Sequence, residues 1–239
     1  MPDFHQRSYR KELLDRDDLP FRDIERNMQE LDVINHRLGG HRITLEGVRA
    51  LALGPHAQRP LHIVEAGCGG GDNLRVIRQW AQKKGLPVQL TGIDLNPECI
   101  AYARNHAGNT GIAFIHSDYR QAALPQKADI IFSSLFCHHF NEEELVLMLR
   151  WMQDQSVRGF FINDLHRHPL AYYPIKILTQ LFSKSYLVKN DAPLSVERGF
   201  IKKDWERLFA AAGIAPFTCS WRWAFRWLIT YHHAIEHGI

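Results

Sequence analysis

Cysteine is scarce in this chain, and its placement excludes as much as its number. Cys68, Cys99, Cys137 and Cys219 form no C-x-x-C pair, so neither a zinc site nor a disulfide framework is signalled. Free thiols of this kind suit a reducing cytoplasm. No apolar run reaches the ~18 residues of a membrane span, and the first ten residues are polar and charged. Charge of one sign is lacking too: the net charge is +3 and the basic residues form no long run, which argues against nucleic acid. What remains is 45% hydrophobic and 23% charged over 239 residues, ordinary for a soluble globular protein and enough for one domain with an appendage. The expectation is a cytoplasmic protein with no nucleic-acid partner and no membrane insertion. A homodimer stays open.

What is present is first a pattern. Residues 1–20 are rich in Asp, Arg and Lys. Ile24, Met28, Leu31, Ile34 and Leu38 then recur at three- and four-residue steps, so 21–38 is a predicted helix ended by Gly39-Gly40. A second helix is predicted over 45–53, broken by Gly54-Pro55. From there strands (61–66, 88–94, 112–116, 128–134, 157–163) alternate with helices (73–84, 97–106, 142–152). That order means a parallel sheet covered on both faces, with ligands at the carboxyl ends of its strands. Residues 170–200 are too apolar for a solvated loop and read as a helical insertion over the strand ends; packing on the N-terminal helices or on a partner chain is the alternative. A helix at 202–212 and a strand pair at 214–221 and 223–231 close the chain as an antiparallel hairpin. The expected organisation is a single domain: an N-terminal helical lid (1–55), a cofactor-binding core (56–169), the insertion (170–200) and a terminal helix with hairpin (201–239).

The chemistry centres on residues 61–73, Leu-His-Ile-Val-Glu-Ala-Gly-Cys-Gly-Gly-Gly-Asp-Asn, which read as strand, tight turn and helix start. Glycines there can adopt positive φ and lack a Cβ, so backbone N–H groups can approach a ligand. A dinucleotide fingerprint would need a small residue where Asp72 stands, and a phosphate loop would need a following Gly-Lys-Ser or Gly-Lys-Thr. The pattern left is Glu65-x-Gly67-x-Gly69-x-Gly71. It resembles the first motif of class I S-adenosylmethionine-dependent methyltransferases of the small-molecule type. The resemblance runs over residues 61–231 and implies a doubly wound, Rossmann-like α/β fold: a seven-stranded, mostly parallel sheet.

It also implies roles. The acidic residue and turn would hold the methionine half of S-adenosyl-L-methionine, drawing on Glu65, Gly67, Cys68, Gly69, Gly71 and Asn73. Asp94 ends the second strand, 23 residues past Gly71. Its two acceptor oxygens suit ribose hydroxyls, with Leu95 beside it; helix capping is the alternative. Asp118, between Ser117 and Tyr119, matches the family's adenine-binding aspartate, or is a surface-turn residue. Ser134 ends the fourth strand, where the methyl donor faces its acceptor.

His138 and His139 follow, in a segment that looks like the family's Leu-x-His-His stretch, and His166 lies beyond the fifth strand. All three are candidate bases, although histidine also fills structural roles. The His166-x-His168 spacing lacks a third ligand, so no metal is expected. Asp164 and His166 would line the acceptor pocket. A phenol with pKa ≈ 10 facing an imidazole at ≈ 6.5 costs roughly 5 kcal/mol to deprotonate fully, within reach of an enzyme, whereas an aliphatic alcohol asks much more. The expected function is O-methylation of a hydrophobic phenolic or polyketide-like small molecule. Alternatives are a non-catalytic S-adenosylmethionine-binding protein and an NAD-dependent oxidoreductase.

Overall fold

The computed structural model describes residues 2–16, 18–52 and 59–234. A seven-stranded sheet has the order β3-β2-β1-β4-β5-β7-β6, with β1 Leu61–Ala66, β2 Val88–Asp94, β3 Ala113–His116, β4 Ala128–Ser134, β5 Ser156–Leu165, β6 Phe217–Arg222 and β7 Arg226–His232. Strands β1 to β5 are parallel, while β7 runs antiparallel to both β5 and β6. This is the predicted seven-stranded class.

Among the described residues the eight α-helices are α1 Phe21–Arg37, α2 Gly40–Ala52, α3 Asp72–Lys83, α4 Pro97–Asn105, α5 Glu142–Gln155, α6 Pro169–Phe182, α7 Tyr186–Arg198 and α8 Lys202–Ala212. The second helix starts five residues before its predicted position. Gly39 (φ +79°) turns the chain, and Gly40 begins α2 at once, so the glycine pair joins two helices instead of opening a loop. The expected helix end at Leu53 and the break at Gly54-Pro55 fall outside the described residues.

Every residue of β1 and β4 is buried, which marks them as the sheet centre. Successive β1 side chains serve opposite layers, as the two-residue strand period requires. Val64 joins the cluster of Leu145, Met148, Leu149, Trp205 and Phe209 from α5 and α8. Ile63 joins Ile43, Val48 and Leu51 of α2 with Leu74 and Ile77 of α3. Strand order reverses between β1 and β4, so a crevice opens above their carboxyl ends.

One contact fixes how the N-terminal pair meets the sheet. At Gly47 of α2 a Cβ would lie 2.4 Å from Cδ2 of Phe161 on β5, so helix and ring pack without a side chain between them. Gly47→Ala is expected to cost about 1–3 kcal/mol by overpacking. Urea unfolding measures it; an unchanged midpoint would contradict this packing.

Candidate active site

At the crevice β1 ends on Ala66 and the chain turns through Gly67 (φ +71°), Gly69 (φ +47°) and Gly71 (φ +74°) into α3. Gly67 is required twice over, by its positive φ and because a Cβ would lie 2.2 Å from Cδ2 of Phe136. The turn is tied to the next strand: Gly67 and Cys68 donate to the Ile93 carbonyl at 2.8 and 3.1 Å. Asp94 completes the tie, accepting from Gly69 N at 2.8 Å through Oδ2 and from Asn96 N at 2.9 Å through Oδ1. Each oxygen keeps a second lone pair.

Below the turn lies Glu65, buried at 1% exposure. Its Oε1 accepts from Asn73 Nδ2 at 2.9 Å, and its buried Oε2 has no partner among the described residues. Burial, then the Asp72 charge, pushes Glu65 well above the usual carboxylate range, against the Asn73 bond. Burial raises Asp94 as well. Asp72, the residue that breaks the dinucleotide pattern, accepts from Asn35 Nδ2 at 3.0 Å and pairs with His41 Nε2 at 2.8 Å. Burial works to raise its pKa, but the His41 bond and charge outweigh it and hold Asp72 low. Its carboxylate thus fastens both N-terminal helices to the first turn of α3, where the helix dipole favours an anion.

These groups border a cavity of about 510 Å³, lined by Glu65, Gly67, Cys68, Gly69, Asn73, Asp94, Leu95 and Ser134 among the predicted residues. Gly71, Ser117, Asp118 and Tyr119 are not on its wall. Asp118 is engaged by the guanidinium of Arg120, whose hydrogen bonds lower its pKa despite partial burial. Tyr119 packs edge-on against Phe136, Phe140 and Trp151. Met28 and Leu31 of α1 and Leu14, Asp15 and Leu19 of the preceding segment supply the rest of one side. The contribution of Leu14, Asp15 and Leu19 carries no spacing signal in the sequence, where residues 1–20 show only a charged composition.

The three histidines separate. His139 lies on the cavity wall, with Asp15 Oδ1 3.0 Å from Nδ1 and Glu12 Oε2 3.8 Å from Nε2. His138 is buried behind it, with Nδ1 2.8 Å from Asp164 Oδ1 and Nε2 3.4 Å from Glu12 Oε1. Burial opposes its charge, yet Asp164 and Glu12 prevail and raise it to about 9. It is therefore protonated at neutral pH and has no ring nitrogen free for a substrate proton, which corrects its reading as a base. His166 packs against Trp227 and His168 away from the cavity, and burial, with His168 and Arg167, lowers it to about 4. Asp164 is wholly buried under His138, so neither it nor His166 lines the cavity.

Arginines finish the junction. Arg7 donates to the carbonyls of Phe140 (3.0 Å) and Arg198 (3.0 Å), and Arg198 Nε donates to the His138 carbonyl at 3.0 Å. Asp191 of α7 accepts from Leu13 N and Leu14 N at 2.8 and 3.0 Å. The insertion thus holds the N-terminal segment, one of the two placements left open for it, while no residue of α6 or α7 reaches the cavity wall.

Comparison with known proteins agrees with this architecture. A family profile described as "Methyltransferase domain" matches residues 63–155, from β1 through α5. This segment matches a methyltransferase domain. The malonyl-[acyl-carrier protein] O-methyltransferase of Acetivibrio thermocellus is 30% identical over 83 residues, 34% of this chain and only 28% of that protein. Human N-acetylserotonin methyltransferase, solved with S-adenosylmethionine, superposes with a TM-score of 0.62 at 18% identity, covering 88% of this chain and 56% of that one. Magnesium protoporphyrin IX methyltransferase from Synechocystis PCC 6803, also with S-adenosylmethionine, gives 0.54 at 16% identity, covering 84% and 82%. At these identities the superpositions establish the methyltransferase fold.

The charged His138 makes stability depend on pH. Its folded pKa of about 9 lies above the unfolded value near 6.5, so its contribution is full below about pH 6.5 and is lost as pH rises through about 9. Thermal unfolding from pH 6 to 10 should show that fall. His138→Ala should cost about 3–5 kcal/mol at neutral pH, since it strands two buried carboxylates, and should flatten the profile; an unchanged profile would contradict the assignment.

Proposed function

We propose that this protein is an S-adenosylmethionine-dependent methyltransferase that methylates an acidic hydroxyl, a phenol or enol, on a hydrophobic small molecule. The observation that carries the cofactor half is the unpartnered Oε2 of Glu65, buried below the glycine turn with Asp72 and Asp94 beside it. A cavity with this acidic floor favours a cationic ligand, and S-adenosylmethionine carries an ammonium and a sulfonium. The pyrophosphate of NAD would meet Asp72, whose pKa is held low, at a Coulombic cost, which disfavours the oxidoreductase alternative.

The residues divide the work. Glu65 and the Gly67–Gly71 turn hold the amino-acid end, Asp94 uses its remaining lone pairs on the ribose hydroxyls, and the exposed Leu95 offers the adenine an apolar face. When bound, the cofactor supplies a methyl on sulfur that is open to in-line displacement, a reaction governed mainly by alignment. The acceptor's proton falls to His139. With Asp15 accepting from Nδ1–H, Nε2, 3.8 Å from Glu12 Oε2, is the ring nitrogen left to take it. His138 and Arg198 position this pair by fixing the loop beneath it. Leu14, Leu19, Met28 and Leu31 give the acceptor side its apolar character.

Turnover of a phenolic panel tests the proposal. His139→Gln should lower kcat by about 100-fold or more at pH 7, with S-adenosylhomocysteine affinity retained and with recovery at higher pH as the phenol ionises unaided. Full turnover in His139→Gln would remove the base. Cofactor binding with no methyl transfer to any acceptor would favour the non-catalytic alternative.

A further inference from the structure

Helix α6 is amphipathic in the wrong sense for a soluble domain. Leu170, Tyr173, Ile177, Leu178, Leu181 and Phe182 are all exposed, Leu181 to 69% and Phe182 to 77%. At about 100° per residue these positions share one face of the helix. The opposite face, which meets α7, buries Tyr172 and the polar Thr179. A stripe of this size on the solvent side calls for a partner.

A second exposed apolar feature adjoins it. The tip between β6 and β7 presents Trp221 and Trp223, the latter 62% exposed. Both rings lie 5.9 Å from Phe225, and Phe225 stacks at 5.4 Å on His168, the N-cap of α6. Hairpin tip and helix therefore form one continuous surface.

Basic side chains outnumber acidic ones on this surface. Between Leu165 and Asn190 the chain has no Asp or Glu, and Lys176 and Lys184 are exposed there. Residues 207–234 also lack any carboxylate. The nearby Glu30 accepts from the backbone N–H groups of Lys184 and Ser185, at 2.9 and 3.0 Å, and Arg222 of the tip is paired with Glu46.

From the outward stripe, the paired tryptophans and the excess of basic side chains, we infer that α6 and the β6–β7 tip dock on an anionic phospholipid surface. At 14 residues α6 is about 21 Å long, short of a bilayer core of about 30 Å. Among the described residues no helix is long and apolar enough to cross a membrane. The helix lies in the plane of the interface, leucine and phenylalanine side chains down, with lysines at the headgroups and indoles at the boundary. A second copy fits less well, because a two-fold contact through this face would bring the lysines of both copies together. The inference does not depend on the methyl acceptor, since it rests on a surface outside the cavity.

Sedimentation with vesicles tests it, one set of phosphatidylcholine alone and one of equal parts phosphatidylcholine and phosphatidylglycerol. The full chain should partition onto the anionic vesicles more strongly than onto the neutral ones, and added salt should weaken that preference. The triple variant Ile177→Gln, Leu181→Gln, Phe182→Gln should lose at least about tenfold in partitioning. Its melting temperature should not change, because the replaced side chains are exposed. Lys176→Gln with Lys184→Gln should remove the anionic preference and leave weak neutral binding. The inference is overturned if the wild-type chain binds neither vesicle, if the triple variant binds as well as wild type, or if ultracentrifugation shows a dimer that the triple variant dissociates while vesicles stay unbound.

Discussion

A charged imidazole between two buried carboxylates holds one wall of the cavity at the strand ends together. His138 reaches Asp164 at the end of β5 on one side and Glu12 of the N-terminal segment on the other. A bare carboxylate at either place would be costly; with the imidazolium between them, each has its counter-charge. The consequences are spatial. Glu12 brings Asp15 to His139, and Leu13 and Leu14 stay against Asp191, so one wall of the cavity exists because of this junction.

The second constraint is the glycine turn, held by Ile93 and Asp94 and overlaid by Phe136. Turn and histidine loop come from strands that are neighbours in the sheet but leave in opposite directions, which is what opens the crevice. In the proposed function, cofactor chemistry belongs to the β1 and β2 ends, and acceptor chemistry to the β4 loop with the N-terminal wall. The two share the cavity lined by Glu65, Asp94 and His139.

Much of this is legible in the chain because it is local. The alternation of strands and helices follows from apolar periods, and Glu65, Gly67, Gly69 and Asp94 announce themselves by their places at strand ends. The difference between His138 and His139 is not local at all. Adjacent residues of one type in one loop diverge because Asp164 claims the first and Asp15 orients the second, 26 and 124 positions away. The same blindness applies to α6, whose apolar residues read as a cover for the strand ends. Which face of a helix meets the domain depends on α7, and here the larger apolar face points outward. Asp118 matches a motif position, but Arg120 two residues later occupies its carboxylate.

The central claim is that the acidic, glycine-floored cavity takes a cationic nucleoside. Calorimetric titration of the wild-type chain with S-adenosylmethionine and, separately, with NAD addresses it most directly. Saturable binding of the first and none of the second is the predicted result, with Asp94→Ala weakening the first by about tenfold or more through lost charge-assisted hydrogen bonds. Binding of NAD in preference to S-adenosylmethionine, or an affinity for the latter untouched by Asp94→Ala, would contradict the account.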